Sequence, residues 1–235
     1  MKLPFYKLLA AYSAAITTLL IGQQVGQAVG APDKTSFGEI DVQRINIRER
    51  DGTLRMVVSD RDRFPGLIWR NKDYPHTSRT NVAGMLFFND EGTENGGLTF
   101  GGANDGKVHS FGHLSFDQYE QDQVVTLEQA ESDGRRTAGL TIVDRPDKSM
   151  NIPGIQDIVT LPEGPERTAG IAKLVSEGVV GNHPRVFLGK QDGASMLTLK
   201  DEDGHDRLRL TVSKDGKAAI EFVDATGKVT KTVTP

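Results

Sequence analysis

The chain has no cysteine among its 235 residues. This absence excludes thiolate catalysis, cysteine metal ligands and lipid attachment to a cysteine. It also excludes disulfides, although a chain of this length can bury enough surface to fold without them. Aromatic residues are scarce as well, at 6 %, and the only tryptophan is Trp69.

A strongly basic surface is the second absence. The formal net charge is −4, and no sustained run of lysine and arginine is present. This balance argues against a nucleic-acid partner. The sequence also lacks a Gly-x-Ser-x-Gly elbow, a Ser-x-x-Lys pair, a His-Glu-x-x-His motif and a phosphate loop. We therefore predict no catalytic residue, no cofactor and no metal ligand, and an enzyme is the less favoured class.

The C-terminal residues 196–235 show most clearly what is present. Apolar residues alternate with polar ones, as in Leu208, Leu210 and Val212, which is the pattern of half-buried strands. Asp-x-x-Gly turns begin at Asp201 and Asp224, 23 residues apart, and two Asp-Gly turns at 192–193 and 215–216 have the same separation. Glycine supplies the positive φ of tight hairpins. The segment is a repeated β-hairpin.

The same pattern recurs towards the N-terminus, giving about six hairpin units with looser spacing. In the first of them, the apolar residues Ile40 and Val42 and then Ile45 and Ile47 change phase, which predicts a bulge. Strands joined by tight turns are antiparallel. The sequence thus predicts a mainly β protein, an antiparallel meander of ten to twelve strands. Such a wide sheet closes as a barrel, forms a sandwich, or is completed by identical subunits.

Two segments interrupt the repeat. Residues 60–82, rich in Arg, Asp, Asn and Pro, are interpreted as a long exposed insertion. Residues 150–182 lose the alternation and predict a helical hairpin: a short helix at 152–161 and a second one from Pro165, ended by Gly178. The predicted organisation is a β half at 32–149, the helical insertion, and a β half at 183–235, with 32–235 as one domain.

The N-terminal residues 1–31 are interpreted as a targeting segment. Lys2 and Lys7 precede a run without charge from Leu8 to Gly22. A cleaved signal peptide and an uncleaved signal anchor, with residues 8–31 in the membrane, remain equal alternatives. Either one predicts export, to the periplasmic face of an inner membrane or by secretion.

Several stretches resemble an uncharacterised family of exported or membrane-anchored bacterial β-repeat proteins. They are residues 37–47, 85–92, 114–123, 144–147 and 161–167, and the likeness covers most of the chain after residue 32. The family has no assigned activity. The resemblance therefore implies export and nothing about chemistry.

Candidate sites are few. His109 and His113 lie too far apart on a regular strand to share a zinc ion, so surface histidines are favoured. The acidic turn at 201–206 has carboxylates like a calcium loop, but strands follow it, and turn chemistry is favoured. The best candidates for partner contact are on the 60–82 insertion: Trp69, Arg70, Tyr74 and His76. The alternative is that Trp69 packs the insertion onto the sheet.

The favoured function is a non-catalytic scaffold or binding module for an unknown protein or glycan, with a homo-oligomer as a possible assembly. One alternative is an extracytoplasmic hydrolase or carbohydrate-active enzyme whose site is dispersed along the chain. A cluster of carboxylates in a deep pocket, with a shifted pKa, would favour that reading. The other alternative is a homo-oligomeric, fibre-like surface structure.

Overall fold

The computed structural model describes residues 9, 12–18, 35–76, 79 and 81–235. The chain divides into two compact units, residues 1–41 and Val42–Pro235. Most of the proposed signal peptide or anchor lies outside the described residues. Within the part that is described, no helix combines the length and apolar character needed to span a membrane. The targeting segment therefore stays a prediction.

The unit Val42–Pro235 is built on one antiparallel sheet of twelve strands that follow one another as a meander. A separate two-stranded sheet is formed by β3 and β4. The strands are β1 (Arg44–Arg48), β2 (Leu54–Ser59), β3 (Leu67–Trp69), β4 (Lys72–Tyr74), β5 (Ala83–Phe88), β6 (Glu94–Asn104), β7 (Val108–Asp117), β8 (Gln123–Ser132), β9 (Arg135–Asp144), β10 (His183–Gln191), β11 (Ala194–Lys200), β12 (Asp206–Val212), β13 (Ala218–Val223) and β14 (Val229–Val233).

The predicted mainly β meander of hairpins is confirmed, and its closure into a barrel does not occur. The sheet runs from β1 at one edge to β14 at the other, and the described parts of these strands do not pair with each other. The first strand begins only at Arg44, so Ile40 and Val42 precede it, and its register shift falls between Ile47 and Arg48. The bulge predicted before Ile45 is therefore wrong in position.

Two kinds of turn connect the strands. Asp133-Gly134 and Asp192-Gly193 form two-residue turns in which both residues have positive φ, the combination that matches the twist of a hairpin. The turns beginning at Asp201 and Asp224 are longer and alike. In each, the aspartate N–H donates to the residue four positions on, and the glycine N–H donates back to the aspartate carbonyl. Asp215-Gly216 belongs to this longer kind, with Gly216 donating to the Ser213 carbonyl.

The helical hairpin is confirmed. Helix α1 (Ile152–Val159) and helix α2 (Pro165–Ser176) lie between β9 and β10. Proline occupies the first turn of each, where a missing N–H costs no hydrogen bond. After α2 the chain turns at Gly178, whose φ of 65° lies in the left-handed region that glycine adopts without strain.

One face of the sheet is covered over the N-terminal half. The hairpin β3–β4 places Ile68 against Val57 and Leu86 of the sheet, which form a buried cluster with Leu54 and Phe88. A second cluster joins the insertion to the helices, and its buried members are Trp69, Ile152, Ile155, Leu174 and Val179. We call this side of the sheet the covered face.

The opposite side carries apolar residues on all twelve strands, because residues paired across antiparallel strands share a face. None of these residues is buried in the described structure. We call this side the open face, and its large apolar residues are Ile45, Ile47, Met56, Val58, Met85, Phe87, Leu98, Phe100, Val108, Leu114, Phe116, Val125, Leu127, Leu140, Ile142, Val186, Leu188, Leu197, Leu199, Leu208, Leu210, Val212, Ile220, Phe222 and Val233.

Candidate functional site

A cavity of about 460 Å³ lies between the covered face and the elements that cover it. Strands β6 and β7 provide its floor, the insertion and α1 provide its walls, and Gln123 at the start of β8 completes it. Its apolar lining comes from the insertion and α1, including Phe64, Trp69 and Ile155. A volume of this size matches a small-molecule site.

Strand β7 supplies the polar floor. His113, Ser115 and Asp117 all line the cavity, and His113 and Ser115 share the covered face because strand residues two apart point the same way. The Nδ1 atom of His113 lies 2.5 Å from Oε1 of Glu128 on β8. The Nε2 atom of His113 and the Oδ1 atom of Asp117 are buried and have no hydrogen-bond partner in the described structure. Buried polar atoms without partners are uncommon and call for an explanation.

Asp117 is the most perturbed acid of the described chain. Burial raises its pKa to about 8, the nearby carboxylates Glu94 and Asp122 add to the rise, and Arg79 and Arg145 oppose it. Desolvation and like charge both disfavour the ionised form, so the direction follows from the surroundings. At pH 7 Asp117 is therefore mainly protonated and can donate a hydrogen bond from its carboxyl group.

Arg79 and Glu94 form a two-bond ion pair beside Asp117. The Nη1 and Nη2 atoms of Arg79 lie 2.8 and 2.5 Å from the two oxygens of Glu94, and Nη1 also donates to the Gly66 carbonyl at 2.6 Å. Both side chains are largely buried. Burial by itself lowers the pKa of Arg79, but the charge and the hydrogen bonds of Glu94, with smaller contributions from Asp117 and Asp73, together outweigh it. The pKa is therefore raised and the guanidinium stays charged. The pair fixes the insertion to β6.

The other charges around the cavity also balance. Arg145 lies 3.2 Å from Asp122, and its guanidinium donates to the carbonyls of Gln123 and Gly181. Desolvation and the charge of Arg79 lower the pKa of His76, so its imidazole is neutral at pH 7. With Asp117 protonated and each arginine paired, the cavity carries almost no net charge at neutral pH.

The four predicted contact residues have different surroundings. Trp69 is only 7 % exposed and also lines the cavity. It packs the insertion against the helices, not against the sheet as the alternative had it. The description of 60–82 as an exposed loop is therefore wrong for its centre. Arg70 is exposed at the surface, 2.8 Å from Glu120 and 3.7 Å from Glu91.

Tyr74 and His76 lie at the far end of the insertion. Tyr74 packs against the Trp69 cluster, and the Nζ atom of Lys72 lies 4.9 Å from the centre of its ring. His76 lines the cavity together with Trp69. Contact with a partner stays a prediction for these residues, and two of the four belong to the cavity wall.

The other candidates from the sequence, the two histidines of β7 and the acidic turn at 201–206, lie in different surroundings. His113 is a cavity residue with a side chain only 17 % exposed, so its interpretation as a surface histidine is wrong, while His109 lies on the exposed end of β7. Among the described residues, Asp201, Asp203 and His205 place ligand atoms within 4.8 Å of one another. The Asp201 carboxylate already accepts the backbone N–H of His205 at 2.9 Å, as an ordinary turn aspartate does.

Sequence reasoning did not find Asp117, Arg79 or Glu94 as site residues. A signal for Asp117 was present, because His113, Ser115 and Asp117 alternate with Leu114 and Phe116. That alternation places a polar row on one face of a strand. It does not tell whether the polar row meets water or lies under another part of the chain. The helices that cover it come some 35 residues later in the sequence.

No protein-family model, no curated protein and no solved structure matches this chain. The resemblance to an exported bacterial family thus remains a prediction from the sequence.

Proposed function

We propose that the protein is an exported, non-catalytic binding module whose ligand occupies the cavity between the covered face and the insertion. The observation that carries this proposal is the pair of buried, unpartnered polar atoms, Asp117 Oδ1 and His113 Nε2, on the lining of one cavity. A bound ligand would give both atoms hydrogen-bond partners and so remove the cost of leaving them unsatisfied.

The proposed ligand is a small, uncharged, hydroxyl-rich molecule of the sugar class. The cavity is close to neutral at pH 7, which disfavours a charged ligand. Its polar lining offers a carboxyl donor, an imidazole, and hydroxyl and amide groups such as Ser115 and Gln156, beside an apolar wall. Hydroxyl groups can both donate to and accept from such a set. The volume of about 460 Å³ suits a mono- or disaccharide.

The test is calorimetric titration of the purified full chain with a panel of free mono- and disaccharides at pH 7. We expect at least one sugar to bind, and we expect His113→Phe to weaken its binding by about fivefold, since one hydrogen bond is worth ~1 kcal/mol. Phenylalanine keeps an aromatic ring at this position but removes Nε2, and also the contact of Nδ1 with Glu128. Asp117→Asn keeps a donor, so binding at pH 7 should change little.

The pH dependence sharpens this test. Raising the pH through about 8 ionises Asp117, which removes its donor and adds a negative charge to the cavity. Sugar binding by the natural chain should therefore weaken above this pH, whereas Asp117→Asn should bind equally at pH 6 and 9. The control is Thr230→Ala on the exposed strand β14, remote from the cavity lining. No binding to any sugar, or equal binding by His113→Phe, would refute the proposal.

A hydrolase is the second candidate, and the pKa of Asp117 favours it. A glycosidase needs one protonated and one ionised carboxyl group, and Asp117 with its raised pKa and Glu94 with its arginine partner provide such a pair. Asp117 would protonate the leaving oxygen, and Glu94 would act as base or nucleophile. The test is release of monosaccharide from a disaccharide of the panel. If the natural chain releases it and both Asp117→Asn and Glu94→Gln abolish the release, the protein is a hydrolase and not a binding module.

A further inference from the structure

The open face of the sheet has no cover in the described chain. On β8 and β10, Leu127 and Leu188 are 54 and 52 % exposed, and Phe100 on β6 is 53 % exposed. We infer that the open face is an interface at which a second copy of this chain packs face to face, so that two single sheets form one β-sandwich. This inference does not depend on the ligand proposed above.

The apolar area of the open face is close to that of a dimer interface. Twelve strands at ~4.8 Å spacing make the sheet about 50 Å wide, and two alternate apolar residues on nearly every strand give a band about 14 Å tall. The band thus covers roughly 700 Å² of apolar surface, which is above the few hundred Å² of the largest patch on a typical monomer. A standard interface buries ~800 Å² per partner, so the open face alone approaches what a stable dimer needs.

Charged residues surround the apolar band of the open face. The central band is apolar, and the charged residues of the same face lie around it. Lys190 and the ion pair of Arg136 with Glu131 at 2.9 Å lie towards the ends of their strands, and Lys231 lies on the edge strand β14. An apolar centre with a charged rim is the anatomy of a protein interface. Aligned packing of two such sheets at ~10 Å would bury the band and leave the rim in water.

The charges of the open face favour a second copy of the chain over a lipid surface as its partner. A membrane-binding face is rimmed by lysine and arginine, which attract anionic lipids. Here Glu131 neutralises Arg136, and the two lysines of this face, Lys190 and Lys231, are too few to form a basic rim, while the chain as a whole is negative. Each strand from β2 to β13 contributes at least two apolar residues to the band, so one copy presents to another a surface of its own shape and chemistry.

The test is the mass of the purified full chain in solution by light scattering at ~10–100 µM, a range in which a micromolar dimer is populated. We expect twice the mass of a single chain. The double variant Leu127→Arg, Leu188→Arg should be monomeric, because two arginines per copy cannot be buried unpaired. Both residues are exposed in the single chain, so circular dichroism should show that the variant folds.

The matched control is Ala130→Arg. Ala130 is exposed on the same strand β8 but belongs to the opposite face, where it pairs with Phe111 and Thr137. This variant should keep the dimer mass. A natural chain that is monomeric throughout this range would overturn the inference, as would an assembly that persists in the double variant, since assembly would then run through the edge strands.

Thiol labelling gives a readout that needs no knowledge of the dimer register. The chain has no cysteine of its own, so a single introduced thiol is the only reactive one. Leu127→Cys should react with a maleimide at least tenfold more slowly in concentrated than in dilute protein, while Ala130→Cys should react equally fast in both. Equal rates for Leu127→Cys at both concentrations would overturn the inference, as would protection that appears only on adding anionic vesicles.

Discussion

The two halves of the sheet have the same hairpins but different surroundings. Strands β2 and β5 to β7 lie under the insertion and the helices, whereas β10 to β14 have no covering layer within the described chain. Of the buried apolar residues described, only Val223 belongs to the strands after β9. The repeated hairpin therefore makes the sheet, and the two interruptions of the repeat make the core and the cavity.

The uncovered half is held by short-range interactions. Its backbone ladder is complete from β10 to β14, and its turns are closed by aspartate side chains, as where Asp224 accepts from Thr226 and Lys228. Cross-strand pairs contribute only a fraction of a kcal/mol each. A single-layer sheet of this kind gains little from hydrophobic burial, which is a further reason to expect a second copy on its open face.

The largest expected loss of stability comes from a substitution in the covered half. Trp69→Ala should lower the free energy of unfolding by ~3–5 kcal/mol, since it empties a buried site between the insertion and the helices. Leu188→Ala, on the uncovered half, should cost under ~1 kcal/mol in dilute protein, because that side chain is already half exposed. Urea unfolding measures both. Equal costs for the two variants would mean that the halves do not differ in packing.

The second effect depends on pH. The pKa of Asp117 is raised to about 8 in the folded chain, from 3.8 for a free side chain. The folded state therefore holds a proton that the unfolded state has lost. The stability that the neutral carboxyl provides is complete below pH ~4 and is lost as the pH rises through about 8.

Asp117→Asn cannot ionise, so it should remove this loss. We expect the variant to be more stable than the natural chain by ~2–5 kcal/mol at pH 9 and similar to it at pH 4, as measured by urea unfolding across the pH range. Asp215→Asn, an exposed turn acid of the uncovered half with a lowered pKa, is the control and should show no such gain. A natural chain with constant stability between pH 4 and 9 would contradict the buried state of Asp117.

The fold could be predicted from the sequence to a large extent because its signals are local. Alternation in Leu208, Leu210 and Val212, the Asp-Gly turns and the proline at the start of α2 each depend on a few neighbouring residues. The cavity could not be predicted, because Arg79, Glu94 and Asp117 come together only when the insertion folds back onto β6 and β7.

The burial of Trp69 was not predicted from the sequence either. Trp69 follows Leu67 and Ile68, but the segment 60–82 around this short apolar run is rich in Arg, Asp, Asn and Pro, which predicts an exposed loop. The neighbours of Trp69 in space are Ile155 and Leu174, from helices more than 80 residues later. Burial is a property of tertiary contacts, so three apolar residues in a polar segment do not tell which elements cover them. Whether the sheet closes into a barrel also depends on contacts between distant strands, so local patterns could not predict it.

The smallest expected effect compares one type of interaction in the two halves. Arg209 on β12 lies 2.7 Å from Asp206 and 3.4 Å from Glu221, and all three side chains are partly exposed. Arg209→Ala should cost at most ~1 kcal/mol, because water and salt screen such pairs. Arg79→Ala should cost ~2–4 kcal/mol, because Glu94 would remain largely buried without its partner.

Salt separates the two cases further. In 1 M sodium chloride the Debye length falls to ~3 Å, so the small cost of Arg209→Ala should vanish while that of Arg79→Ala should persist. Urea unfolding at low and high salt measures this difference. If Arg209→Ala proved as costly as Arg79→Ala, the uncovered half would have to be shielded from solvent in the molecule as purified. A second copy on the open face cannot provide that shielding, because Arg209 and Glu221 lie on the opposite side of the sheet.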